Sequence, residues 1–81
     1  MKMKAYVLIN IRAGEIASVV HHMKSVEGVT EATMTFGLYD SVAVVEAEDL
    51  KAIGQIIYKH IQPIPGVVET LTCLAIDTDE A

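Results

Sequence analysis

Val26-Glu27-Gly28-Val29-Thr30-Glu31-Ala32 is echoed 38 positions later by Ile64-Pro65-Gly66-Val67-Val68-Glu69-Thr70. Each copy closes a helix-patterned stretch and opens a strand-patterned one, with a glycine where a left-handed turn commonly ends a helix. A repeat of that length spans one strand–helix–strand unit, so the chain reads as two units in series, βαββαβ.

Outward from the first copy, Ala5 to Ile11 is apolar on both alternating faces, the pattern of a central strand. Arg12-Ala13-Gly14 ends it. From Glu15 to Val26, Ile16, Val19, Val20 and Met23 fall on one face of an amphipathic helix. Thr30 to Phe36 alternates as a strand, with Ala32, Met34 and Phe36 on one side and Glu31, Thr33 and Thr35 on the other. Gly37-Leu38-Tyr39-Asp40 makes a hairpin turn into a second doubly apolar strand, Ser41 to Glu46.

Outward from the second copy, Asp49 is suited to cap a helix through Ile61 whose stripe is Leu50, Ile53, Ile57 and Ile61. Pro63 and Pro65 stop that helix, and the last strand runs from Val67 to Ile76. Thr70 and Thr72 face one side of it, and Leu71, Cys73 and Ala75 the other.

Right-handed crossovers place the first and third strands in the middle of a four-stranded antiparallel sheet, with both helices on one face. The expected class is therefore α+β, a ferredoxin-like sandwich. The other sheet face is left bare, with Val7 or Leu8 and Val42 or Val44 exposed on it, and two-fold stacking of sheet on sheet is its simplest cover.

Composition agrees. The 81 residues make one domain, 1–81, and 52% of them are hydrophobic, a large share for a chain that can hide little when folded alone. Net charge is −5, with scattered lysines, so no basic stripe exists to bind nucleic acid directly. Asp77, Asp79 and Glu80 make residues 77–81 a flexible acidic tail. Lone Cys73 reads as a small buried hydrophobe in a reducing compartment. With no signal-peptide pattern and no long apolar run, the expectation is a soluble, cytoplasmic protein without membrane contact.

Two signatures then stand out together: Thr35-Phe36-Gly37-Leu38-Tyr39-Asp40 in the hairpin, and Pro65-Gly66-Val67-Val68-Glu69-Thr70-Leu71-Thr72 before the last strand. With Asp49 between them, they resemble the effector-binding (RAM) domain of the Lrp/AsnC transcription regulators from Ala5 to Ile76. The resemblance implies a homodimer built through the sheets and an octamer or decamer ring of dimers. It also implies a small amino acid effector held between dimers, with an indirect effect on transcription. Members usually carry a helix-turn-helix domain that these residues lack, which implies a stand-alone form. The sequence departs from the family pattern at Phe36, Leu38 and Ser41.

The turn chemistry suits such an effector. Backbone amides beside Gly37 can approach a carboxylate, Asp40 can accept from an ammonium, and Thr70 and Thr72 can complete a polar lining. The expected ligand-binding residues are Gly37, Leu38, Tyr39, Asp40, Thr70 and Thr72. Gly-x-Tyr-Asp is equally a good hairpin turn, with Asp40 bonding local amides and Tyr39 packing as cover, and paired threonines also suit any strand.

His21 and His22 project in different directions and His60 lies on the other helix, so the histidines form no metal site. Arg12 reads as a solvated strand end. No catalytic constellation and no cofactor motif emerge. The leading expectation is a non-enzymatic amino acid sensor. The alternatives are an interaction module co-assembling with full-length Lrp/AsnC regulators and, third, a small dimeric ferredoxin-like enzyme.

Overall fold

The computed structural model describes residues 2–76. In chain order these form β1 (Met3–Ile11), α1 (Ile16–Met23), β2 (Val29–Met34), β3 (Ser41–Ala47), α2 (Leu50–Ile56) and β4 (Val67–Leu74), with a π-helical turn over Ile57–Ile61 prolonging α2. All strand pairs are antiparallel and the sheet order is β2-β3-β1-β4, the ferredoxin-like arrangement with β1 and β3 central. The acidic end, residues 77–81, lies outside the described residues.

The two echoed segments fold into the same turn. Val29 N–H donates to the Val26 carbonyl at 3.1 Å, and Val67 N–H to the Ile64 carbonyl at 3.0 Å. Gly28 and Gly66 hold φ of +97° and +105°, a left-handed backbone that other residues resist. Each glycine carbonyl accepts from the unit's neighbouring strand or strand end, Gly28 from Glu46 N–H at 2.9 Å and Gly66 from Arg12 N–H at 2.7 Å. The duplicated sequence thus builds a duplicated corner, and each corner starts an edge strand.

Alternation then fixes the faces. Ala5, Val7, Ile9 and Ile11 of β1 and Ala43 and Val45 of β3 are buried with Ala32 of β2. Against them pack Val19, Val20 and Met23 of α1, and Ile53, Ile57 and Ile61 of α2 and its π-helical turn, so both helices cover one face. Asp49 caps α2 as expected, its Oδ1 accepting from Ala52 N–H at 2.8 Å. An α-helix advances a little more than a full turn in four residues, so the wider π turn keeps Ile61 on the side of Ile57.

Several expectations are corrected. Leu50 is 56% exposed, because it is the first helical residue and the stripe meets the sheet only a turn later, at Ile53. Met34 and Phe36 do not join Ala32 in the core: β2 ends at Met34, and Phe36 belongs to the loop beyond. α1 is shorter than expected, ending at Met23, because the chain then turns into the Val26–Val29 corner. Cys73 is exposed rather than buried, since it pairs with Tyr6 on the face that no helix covers.

That face is the bare one anticipated from the crossovers. The register assigns to it Tyr6 and Leu8 of β1, Val42 and Val44 of β3, and Leu71 and Cys73 of β4, while Val7 lies in the core. Tyr6 and Leu71 are 39% and 47% exposed. The ammonium of Lys4 sits 5.3 Å over the Tyr6 ring, and Glu31 and Thr33 make the β2 side polar.

Candidate functional site

The segment between β2 and β3 is pinned at its base and open at its tip. Thr35 N–H donates to the Asp40 carbonyl at 3.0 Å, and the Thr35 hydroxyl to the Tyr39 carbonyl at 2.7 Å. Asp40 binds β1 twice: its N–H donates to the Ile9 carbonyl at 2.9 Å, and its Oδ2 accepts from Ile11 N–H at 2.7 Å. The carboxylate therefore bonds an amide 29 residues away rather than a local one. A carboxylate offers about four acceptor positions, so one N–H leaves capacity for a cationic guest.

Behind that carboxylate, the end of β1 is braced on its other side. Arg12 N–H reaches the Gly66 carbonyl, and the Arg12 guanidinium pairs with Glu15 at 2.9 Å instead of standing alone in solvent. The first residue of β3, Ser41, is fully buried, its hydroxyl donating to the Thr33 carbonyl at 2.8 Å. The buried serine thus costs no unpaired polar atom.

Of the six expected site residues, Gly37, Leu38, Tyr39 and Asp40 share this one loop at the end of the sheet. Gly37 has φ of +129°, a Cβ there would meet nothing within 4 Å, and Leu38 is 90% exposed. Tyr39 is half-buried, as a cover would be. Thr70 and Thr72 lie elsewhere. They pair with Ile9 and Val7 on the helix-covered face, across β1 from β3, about two strand spacings or roughly 9–10 Å from the loop's base. Within one chain the two groups do not converge.

Sequence reasoning missed Gln62, whose side-chain amide donates to the Thr70 hydroxyl at 3.1 Å. The π-helical turn sets it there, its backbone N–H closing that turn onto the Ile57 carbonyl at 2.8 Å. A polar residue ahead of Pro63 was the only signal in the sequence. It also missed an open groove of about 640 Å³ at the far end of the sheet, where Gly28, Glu46, Ala52 and Ile56 bring His22 and His60 to a common wall. None of the six expected residues lines it.

Comparison with known proteins bears on the fold. Residues 4–79 match the family model of the Lrp/AsnC ligand binding domain. The chain belongs to that family. Among the solved structures similar to it, FFRP-DM1 is 31% identical with a TM-score of 0.86, covering 91% of this chain and 99% of its own. A protein from Thermus thermophilus is 28% identical with a TM-score of 0.89, covering 94% of this chain and 95% of its own. A transcriptional regulator from Neisseria meningitidis, solved as a complex with L-Met, is 14% identical with a TM-score of 0.82. That likeness is one of fold; it covers 95% of this chain but 51% of the regulator. No curated protein matches the sequence. The Lrp/AsnC ligand-binding domain is a regulatory module, and in this chain the Gly37–Asp40 loop lies at the end of a sheet with both helices on one face.

Proposed function

We propose that this Lrp/AsnC domain is a non-enzymatic, cytoplasmic amino acid sensor whose effector binds between dimers. Two copies stack bare face on bare face through Tyr6, Leu8, Val42 and Leu71, and dimers assemble into a ring of eight or ten chains. Amides of the Gly37 turn meet the effector's carboxylate and Asp40 its ammonium. Because Thr70 and Thr72 lie across β1 from the loop, the threonines that complete the site come from a neighbouring subunit. The single observation that carries this reading is the Asp40 carboxylate, held at the sheet end by Ile11 N–H beside an exposed loop.

An effector bound at a junction of subunits shifts assembly only through its differential affinity for the assembled state. Thermal shift and calorimetry with each standard amino acid, alongside light scattering, test this. At least one amino acid raises the melting temperature and alters assembly mass; an intact oligomer indifferent to all of them refutes the sensor.

A second reading is favoured by the apolar bare face, where Tyr6 and Leu71 are substantially exposed. On it the chain co-assembles with full-length Lrp/AsnC regulators and changes the composition of their rings without a ligand of its own. Capture from lysate of a partner bearing a helix-turn-helix domain, with no amino acid response, would select it.

A further inference from the structure

We infer that the effector carries a large apolar side chain, branched, thioether or aromatic, and that Phe36 and Leu38 select it. The inference rests on the reading of the Gly37–Asp40 loop as the effector site.

Loop tips are ordinarily polar, because water must satisfy them. Here Phe36 is fully exposed at 107%, Leu38 is 90% exposed and Met34, where β2 ends, is 58% exposed. None of the three contributes to the core, so the fold of the subunit gives no reason for them. Phe36 and Leu38 flank Gly37, beside which there is open space, and Met34 stands at the start of the same loop. Two large apolar groups either side of the glycine form a surface that an apolar guest covers with gain.

Charge narrows the class further. Asp40 supplies a negative group in the same loop as the apolar pair, which suits an α-ammonium attached to an apolar body. An acidic side chain there would face Asp40, and Arg12, the residue after Ile11, pairs on the surface with Glu15 at 2.9 Å. A basic side chain would set a second ammonium against Phe36 and Leu38 and lose its water without a partner. Small polar side chains would leave the apolar pair wet.

The test uses the full chain and L-Leu, L-Ile, L-Met and L-Phe against L-Ser, L-Asp, L-Glu and L-Lys, by calorimetry, with light scattering in parallel. The apolar group binds about tenfold to a hundredfold tighter, the gain of covering one leucine-sized or larger side chain. The double variant Phe36→Ser/Leu38→Ser reduces that preference to within about threefold, because the apolar amino acids lose more affinity than L-Ser. Both positions lie outside the core, so the variant folds, which circular dichroism verifies. Tighter binding of a charged or small polar amino acid overturns the inference and leaves the sensor standing. An unchanged preference in the double variant overturns it, as does an equal loss for every amino acid or a fall in assembly mass as the only change, since the pair would then serve subunit contact. Silence from every amino acid overturns both readings.

Discussion

Asp40 has a tether in the subunit and a proposed ligand role, and substitutions separate the two. Asp40→Ala removes Oδ2, the acceptor of Ile11 N–H at 2.7 Å in a part-buried position. Orphaning such an amide costs about 1–3 kcal/mol. In a domain of this size about 1 kcal/mol moves the melting temperature roughly 4–8 °C, so a loss of about 2 kcal/mol lowers it by about 8–16 °C. Asp40→Asn keeps a carbonyl oxygen for Ile11 but not the charge. A neutral bond is about half as strong as a charge-assisted one, and the expected loss is about 0.5–1 kcal/mol, roughly 2–8 °C.

Effector binding responds to the charge and not to the tether, so Asp40→Asn weakens it as Asp40→Ala does. An effector at about 100 times its dissociation constant stabilises the native state by about 2.7 kcal/mol. If the ammonium loses its charged partner, affinity falls about 10- to 100-fold, and at a loss of about 30-fold the same concentration stabilises by only about 0.9 kcal/mol. Differential scanning calorimetry at fixed protein concentration, with and without effector, reads both quantities. Asp40→Asn with an undiminished effector shift refutes the ammonium contact; Asp40→Ala with an unchanged melting temperature refutes the tether.

Leu8→Lys places a charge in the centre of the bare face and dissociates the proposed dimer, so sedimentation velocity gives a monomer where the parent gives a larger species. Cys73, exposed on that same face in the isolated subunit, reacts with a thiol reagent at least about tenfold faster in Leu8→Lys than in the stacked parent. Asp49→Ala deletes the acceptor of Ala52 N–H and costs about 1 kcal/mol, a drop of roughly 4–8 °C in melting temperature. Gly66→Ala forces a side chain into a left-handed backbone at φ +105°, with its Cβ 3.0 Å from Val19 and 3.1 Å from Glu15, and destabilises by more than about 1 kcal/mol in denaturant titration.

What the sequence disclosed was whatever rests on local periodicity. The echoed Gly28 and Gly66, the buried stripes Val19-Val20-Met23 and Ile53-Ile57-Ile61 and the Asp49 cap all follow from patterns within one or two turns of chain, and the order of the four strands from the handedness of the crossovers between them. What it withheld depends on pairing between distant segments. β1 is apolar on both sides, so only the register with β3 and β4 decides that Val7 is core and Leu8 is not. The same register moves Cys73 onto the bare face. At the site, the turn was legible as Gly-x-Tyr-Asp, but the partner of Asp40 was not, because the Ile11 amide lies 29 positions upstream. The bond of Gln62 to Thr70 was equally hidden, since it needs a π-helical turn that no residue pattern announced.

On the proposed function, separate surfaces let one short chain both assemble and respond. The bare face is built from side chains of alternate residues on the central strands, and its cover adds apolar burial over a broad area. The Gly37–Asp40 loop projects from the end of the sheet and is joined to β1 by the two bonds of Asp40 to Ile9 and Ile11. Val42 and Leu8 lie near the base of the loop and Tyr6 further along β1, so a molecule at the loop tip meets at most the rim of the bare face and has little means of favouring a stacked dimer over a separated pair. Its differential affinity acts instead on contacts made at the sheet ends, between one dimer and the next. The proposed effector therefore changes ring mass by whole dimers, and a monomer released by an amino acid would contradict the division of the molecule into these two surfaces.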